Sequence, residues 1–432
     1  WGPDRLFLNQ AGAGFLEVTE SAGLGGSAWS TSAAFLDANR DGKLDLYVAR
    51  YLEFDPKKIQ PASSGDARWK GHRVMAGPEG LTPSADAFYL GNGDGTFELA
   101  SDSSGLGKVK PGYGLGVMTL DVDADGDTDV YVANDSTPNQ LLENQGDGTF
   151  IESGFSRGLA YDGGGREQAG MGIACAHLAG QEREALFVTN FSGESNALYR
   201  SSPKRRAYRD RSSRYGLSGP SLMKLGWGTG FFDADLDGDL DLFVLNGHVY
   251  PHISLAPAGG TYRQLNQLFR NNGHGRFVDV STDSGPGLAV RKTSRGASMG
   301  DYDNDGDVDV FVVNMNDTPS LLRNEGGHRG NWLTIQVVGT RSNRDGVGTR
   351  IRVVTGVVTQ TRTVNGASSY MSHSDIRAHV GLGDERRATL VELTWPNGDI
   401  QTVDDVPASR LLVVRQGQGH TILPLGSAAS AP

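Results

Sequence analysis

Apolar residues in this chain fall in short runs with period two, and no long amphipathic stretch interrupts them. Leu-Tyr-Val follows Asp45, Val-Tyr-Val follows Asp129, Leu-Phe-Val follows Asp241 and Val-Phe-Val follows Asp309. Aromatic and β-branched residues in alternation predict strands. A second pattern alternates with the first: RLFLNQAGAGF from Arg5, AFYLGNGDGTF from Ala87, QLLENQGDGTF from Gln140 and QLFRNNGHGRF from Gln267. Each reads as strand, Gly-rich turn, strand, and ALYRSSPKRRAY from Ala197 is a weaker copy. Together they give four strands in about 55 residues where no insertion intervenes. A repeat of that size with several short strands predicts an all-β fold, a β-propeller with one repeat per blade. Separate domains are excluded, because each unit is too small to bury a core of its own.

The turn before each apolar run carries the chemistry. It reads DANRDGKLD from Asp37, DVDADGDTD from Asp121, DADLDGDLD from Asp233 and DYDNDGDVD from Asp301. Oxygen side chains at positions 1, 3, 5 and 9, a carbonyl at position 7 and a Gly at position 6 suit calcium, which takes six to eight oxygens. The candidate ligands are Asp37, Asn39, Asp41, Lys43 and Asp45 in the first loop, and Asp121, Asp123, Asp125, Asp127 and Asp129 in the second. They are Asp233, Asp235, Asp237, Asp239 and Asp241 in the third loop, and Asp301, Asp303, Asp305, Asp307 and Asp309 in the fourth. About four Ca²⁺ are expected. An EF-hand is rejected: position 12 is Val48, Val132, Val244 or Val312 instead of a bidentate Glu, and a strand follows instead of a helix. The spacing also places a fifth frame at His177, where the ligands have become His177, Ala179, Gln181 and Ala185 and only Glu182 keeps a carboxylate. That copy is expected to hold no metal.

These loops resemble the FG-GAP (or VCBS) repeats of integrin-type propellers. The stretch from NWLTIQVVGT at Asn331 to LVELTWPNGDIQTV, ending at Val403, resembles the ASPIC/UnbV domain. The pairing, with NGHVYPH at Asn246–His252, is similar to the cartilage acidic protein family and its bacterial relatives. The resemblance implies a propeller, seven-bladed when complete, with FG-GAP/VCBS repeats over residues 1–328, an ASPIC/UnbV domain over 329–415 that closes or abuts the ring, and a tail over 416–432. Residues 329–415 hold eleven Arg, no Lys and eight acids, a net of +3 in a chain of −11. Their seven alternating runs fit either a small β-sandwich or two further blades, and ring closure by two blades is the expectation that follows from the family. The chain opens in mid-motif at WGPDRLFLN, so an acidic loop upstream of it is a further expectation.

The single Cys175 allows no internal disulfide, and its apolar setting predicts a buried, unreactive thiol. No run is long and apolar enough to span a membrane. Loosely built calcium sites fill only at extracellular concentrations, which points to a secreted or cell-surface protein. A net charge of −11 is a poor match for nucleic acid. The expected partner is an extracellular protein or glycan, met on the insertions at 51–86 (with Trp69, His72 and Arg73) and 247–266. Self-association into a fibre through the terminal segments is the alternative, with Thr421–Leu425 adding a strand to a neighbour. No catalytic motif is visible; a polysaccharide-acting enzyme is the third class. His248 and His252 flank Pro251 and read as loop residues, not a zinc pair. The basic run from Lys204 reads as a solvated loop, and Asn134, Asn190 and Asn316 stand in glycosylation sequons.

Overall fold

The computed structural model describes residues 2–424 apart from 56–67, 70–71, 75–76, 180, 182, 203–204, 256–259, 327–329 and 357. Trp69, His72 and Arg73 as side chains, Glu182, Lys204 and the tail from Leu425 therefore lie outside the described residues. The alternating runs form strands, and the Gly-rich turns join them into antiparallel sheets. The first sheet runs Ser30–Leu36, Asp45–Arg50, Ala87–Gly91, Phe97–Leu99, and the second Gly114–Leu120, Asp129–Asn134, Gln140–Asn144, Phe150–Glu152. The third runs Ile173–Ala176, Ala185–Val188, Ala197–Ser202, Arg205–Asp210, and the fourth Gly226–Phe232, Asp241–Asn246, Gln267–Asn271, Phe277–Asp279. The fifth has three strands, Ser294–Gly300, Asp309–Asn314 and Ser320–Leu322. A two-stranded hairpin, Phe7–Asn9 with Phe15–Glu17, precedes the first sheet.

Each sheet is too thin to bury itself, so successive sheets pack face to face as blades. Tyr131, Ala133 and Leu141 of blade two meet Ile173, Leu186 and Val188 of blade three. Tyr47, Ala49 and Phe88 of blade one meet Val130, Val132, Leu142 and Phe150 of blade two. The period-two pattern thus has one meaning throughout: alternate residues of a blade's second strand face opposite neighbours.

The first strands of all five blades surround one segment from the C-terminal region. Phe35 N donates to Gly366 O at 3.3 Å, and Gly366 N to Thr119 Oγ1 at 3.2 Å. Ser369 exchanges both backbone bonds with Ile173, and its Oγ accepts from Thr229 N at 3.2 Å. Ser374 Oγ accepts from Met299 N at 3.1 Å, and Asp375 N donates to Met299 O at 2.9 Å. Residues 364–376 fill the centre of the propeller as a plug.

The C-terminal strands differ from the expectation of two further blades. They form two sheets, Ala378–Gly383, Asn331–Val338, Arg410–Arg415, Gly419–Leu423 and Val358–Thr363, Arg350–Thr355, Arg387–Thr394, Ile400–Pro407. The inner faces of the two sheets share one core: Leu333, Ile335, Val380 and Leu412 against Ile351, Val391, Leu393 and Trp395. Asn331–Val338 and Arg410–Arg415 pair in parallel, which ties the two ends of the region together. The result is a β-sandwich that abuts the propeller. Gly419–Leu423 pairs with Arg410–Arg415 of its own chain, so the strand expected to serve a neighbour is already in use.

Candidate metal loops and their seat

Four acidic loops fold alike, and their hydrogen bonds show why the residues stand where they do. The position 1 carboxylate accepts from the position 6 glycine N: Asp37 from Gly42 at 3.0 Å, Asp121 from Gly126 at 3.0 Å, Asp233 from Gly238 at 2.9 Å and Asp301 from Gly306 at 2.9 Å. The position 5 carboxylate accepts from the position 7 N at 2.8–3.0 Å in all four. Position 9 acts as a staple. One oxygen of Asp45, Asp129, Asp241 and Asp309 accepts from position 2, and the other from the end of the blade's third strand, at Gly91, Asn144, Asn271 and Asn324. Position 6 has φ between 82° and 99°, the left-handed region open to glycine. Position 4 is also left-handed, at Arg40, Ala124, Leu236 and Asn304.

This folding turns carboxylates inward. In three loops positions 1, 3 and 9 bring one oxygen each within 4.8 Å of the others: Asp121, Asp123 and Asp129; Asp233, Asp235 and Asp241; Asp301, Asp303 and Asp309. Asp125, Asp237 and Asp305 at position 5 stand outside these sets. The first loop has Asn39 at position 3 and forms no three-carboxylate set among the described residues. Position 7 supplies side chains to other tasks: Asp127 reaches Arg40 of the neighbouring loop at 2.6 Å, and Lys43 reaches Asp41 at 3.3 Å.

The donor set fits a hard cation. It is all oxygen, and Asp37 Oδ1 and Asp235 Oδ1 are buried without a hydrogen-bond donor among the described residues. Burial holds the carboxyls far above the ordinary range, Asp37 and Asp45 at about 6, Asp233 at about 7 and Asp241 at about 8, with neighbouring loop carboxylates adding to the rise. Three arginines missed in the sequence partly offset this charge. Arg157 pairs with Asp123 at 3.0 Å and with Glu143, and Arg323 pairs with Asp303 at 2.9 Å and Asp305 at 3.2 Å. Arg362, enclosed with its own value lowered to about 10 by burial, lowers Asp233. Their positions follow no spacing that marks them in the sequence.

The loop frame at His177 has no carboxylate at positions 1, 3, 5 and 9, and a polar cluster of His177, Glu184 and Cys175 stands beside it. Burial, then Arg350 and Arg362, lowers His177 to about 4, while burial raises Glu184 to about 7. They lie 3.9 Å apart. Burial raises the Cys175 thiol well above its usual value; it contacts Asn365 Nδ2 at 3.5 Å. Cavities of about 180 and 390 Å³ meet at His177 and Glu184.

The sandwich, with its excess of arginine, rests on the acidic loops. Gly383 N donates to Leu236 O at 2.9 Å, and His379 Nε2 lies 2.9 Å from Gly306 O. A Cβ on Gly42 would lie 2.8 Å from Arg341 O. At the other end of the blades, where both insertions leave, aromatic rings gather: Trp29 on Tyr51 at 5.6 Å, Tyr51 on Tyr113 at 6.0 Å, and Phe191 on His248 at 5.6 Å. His248 is buried there and His252 is exposed, so they share no site. The Asn134 and Asn190 amides are buried and donate to Pro138 O and Gln168 Oε1, which leaves Asn316 as the one exposed sequon asparagine. No described helix is long and apolar enough to cross a membrane.

Fold and loops together define a β-propeller of acidic-loop repeats with a C-terminal β-sandwich. The FG-GAP-like repeat matches residues 233–312, and ASPIC and UnbV matches 339–421. The chain is similar to cartilage acidic protein 1, 26% identical to the Mus musculus protein and 25% to the Homo sapiens protein over 390 residues. These alignments cover 88% of this chain and 54% and 52% of those proteins, so the chain spans about half the length of the curated relatives it matches. Among solved structures it is similar to an Agrocybe aegerita lectin that recognises non-reducing terminal N-acetylglucosamine (15% identity, TM-score 0.40, 75% of this chain and 72% of that one). It is also similar to the V. cholerae biofilm matrix protein Bap1 (13% identity, TM-score 0.33, 88% and 59%).

Proposed function

We propose that this chain is an extracellular recognition module whose acidic loops hold calcium as structural ions. The observation that carries the reading is the common geometry of positions 1, 3 and 9 in three blades, which brings three carboxylate oxygens within 4.8 Å of one another with position 9 buried in each. Bound calcium supplies that charge, fixes the loops and so fixes the seat of the sandwich. Recognition then belongs to the aromatic end of the blades, where Trp29, Tyr51, Tyr113 and Phe191 offer apolar faces with polar edges to a glycan or protein. The kinship with cartilage acidic protein 1 supports an extracellular setting.

Equilibrium dialysis in 1 mM calcium followed by elemental analysis tests the reading at its base. About four Ca²⁺ per chain are expected, with one fewer in Asp235→Ala. A content at background, or one unchanged by the substitution, sinks it. A polysaccharide-acting enzyme is the second reading, with His177 and Glu184 at the junction of two cavities in its favour. It ranks lower because burial moves both groups, and the charged side chains acting on His177 are arginines instead of a carboxylate.

A further inference from the structure

The turn that follows a blade's fourth strand occurs four times, so the repeat supplies its own control for what each position there needs. Five residues after Phe97, Phe150, Tyr208 and Phe277 stand Asp102, Phe155, Ser213 and Thr282. Asp102, Ser213 and Thr282 are polar and exposed, as suits a solvated turn. Phe155 is 77% exposed, the most exposed large apolar side chain among the described residues.

This ring is held in place. It stands on the short helix Gly154–Arg157, whose Gly154 N donates to Glu152 Oε1 at 2.8 Å. Arg157 N donates to Ser153 O at 2.9 Å, and its guanidinium pairs with Glu143 and with Asp123 at 3.0 Å. Tyr161 meets Phe155 edge-on, with 6.1 Å between centroids and 86° between the ring planes.

Phe155 and Tyr161 line an open cleft of about 700 Å³ beside blade two, with buried Phe150 between the walls. Sites for small ligands span about 300–1,000 Å³. The segment leading in from blade one adds Lys108 and Lys110 to the same cleft. Both are exposed, and neither pairs with a carboxylate among the described residues. The two acids in the cleft are turned to their own backbone. Glu152 accepts from Gly154 N, and a Cβ on Gly107 would lie 2.6 Å from Asp102 Oδ1. A lone exposed ring is ordinary on a surface; a braced ring in a cleft with two unpaired lysines, on a chain of net −11, is a local site for an anion that has an apolar face. An aromatic face accepts the C–H face of a pyranose, and lysine heads take carboxylate or sulfate as point charges. An added peptide strand fits less well, because the edge strand Phe150–Glu152 offers only three residues.

We propose that this cleft binds an acidic saccharide, with one sugar ring on Phe155 and its carboxylate or sulfate on Lys108 and Lys110. The cleft shares no residue with the Trp29, Tyr51, Tyr113 and Phe191 group. Neither Phe155 nor the two lysines is a candidate calcium ligand, so this site stands or falls apart from the function proposed above.

Two fluorescent hexasaccharides, one of hyaluronan with carboxylates alone and one of heparin with sulfates as well, are titrated into the whole chain in 1 mM calcium and read by anisotropy. Saturable binding of at least one is expected, and which one binds separates carboxylate from sulfate recognition. Uncharged maltohexaose should bind at least tenfold more weakly. Phe155→Ser and the double variant Lys108→Glu/Lys110→Glu should each weaken binding by about tenfold or more. All three side chains are exposed, so the variants keep the parent melting temperature. Failure of both probes to bind overturns the proposal, as does an affinity that either variant leaves unchanged. Equal affinity for hexaglutamate also overturns it, because charge alone is then recognised and the sugar ring is not.

Discussion

If the acidic loops hold calcium as proposed, its removal should give the chain a stability signature that depends on pH. Four sites with Kd of roughly 10⁻⁴ M in about 2 mM calcium contribute RT ln(1 + [Ca²⁺]/Kd), about 1.8 kcal/mol each and about 7 kcal/mol together. Unfolding entropy of about 2.1 cal/mol/K per residue is about 0.9 kcal/mol/K for 432 residues. Excess EGTA should therefore lower the melting temperature by about 8 °C at pH 7.5. Without calcium, the folded chain holds protons that the unfolded chain releases. Asp241 titrates at about 8 and Asp233 at about 7 when folded, against 3.8 for an ordinary aspartate. A raised carboxyl means that the folded state binds more protons, so stability falls as pH rises between the two values. From pH 6 to pH 8 these two groups together remove roughly 4 kcal/mol. In EGTA the melting temperature should thus rise by roughly 4 °C on acidification from pH 8 to pH 6. In calcium the rise should be much smaller, because the bound ion displaces those protons and the folded carboxylates then hold almost no more of them than the unfolded ones. Scanning calorimetry at both pH values, with and without EGTA, reads all four states. A metal-free melting temperature that is flat or lower at pH 6 refutes the reasoning, as does indifference to EGTA at pH 7.5.

Two further outcomes follow. In Gly366→Ala a Cβ would collide with the Phe35 carbonyl oxygen, so the plug should lose its place in the propeller; hydrogen exchange at Ile173 and Ser369 should rise while exchange in the sandwich core at Leu333 stays slow. Equal acceleration in both would show that the plug and the sandwich have no separate stabilities. Cys175, its thiol held neutral by burial, should resist iodoacetamide at pH 8 in the native chain and react fully in denaturant, as mass spectrometry would show; rapid native labelling would contradict that placement.

The acidic loops were legible in the sequence because their chemistry is local. Nine consecutive residues carry the candidate ligands, the left-handed glycine and the start of the next strand, so the frame at Asp37 could be checked against those at Asp121, Asp233 and Asp301. The fifth frame at His177, with its carboxylates replaced, was legible by spacing alone. The C-terminal region was not, because alternation in Asn331–Val338 or Arg387–Thr394 says that one face is buried without saying against what. A sandwich and a pair of blades ask the same pattern of those strands, and the parallel pairing with Arg410–Arg415 leaves no local mark. The plug was invisible for a related reason. Asn365 to Ser369 are small and polar and read as a turn, yet small polar residues are what a narrow channel lined by backbone groups admits.

That plug also bears on how the chain reaches its native state. Gly366 and Thr119 are separated by 247 residues, and Ser369 and Thr229 by 140. The closure entropy of such long loops must be met before the contacts that reward it exist, and high mean sequence separation slows folding. Blades can each form from neighbouring strands, but the channel they enclose is lined with backbone groups that only a distant segment satisfies. The propeller is then the late product of its own C-terminus: a ribosome-bound chain ending before Gly366 has an unfilled axis, and refolding should show blade formation ahead of a slow phase in which the plug arrives.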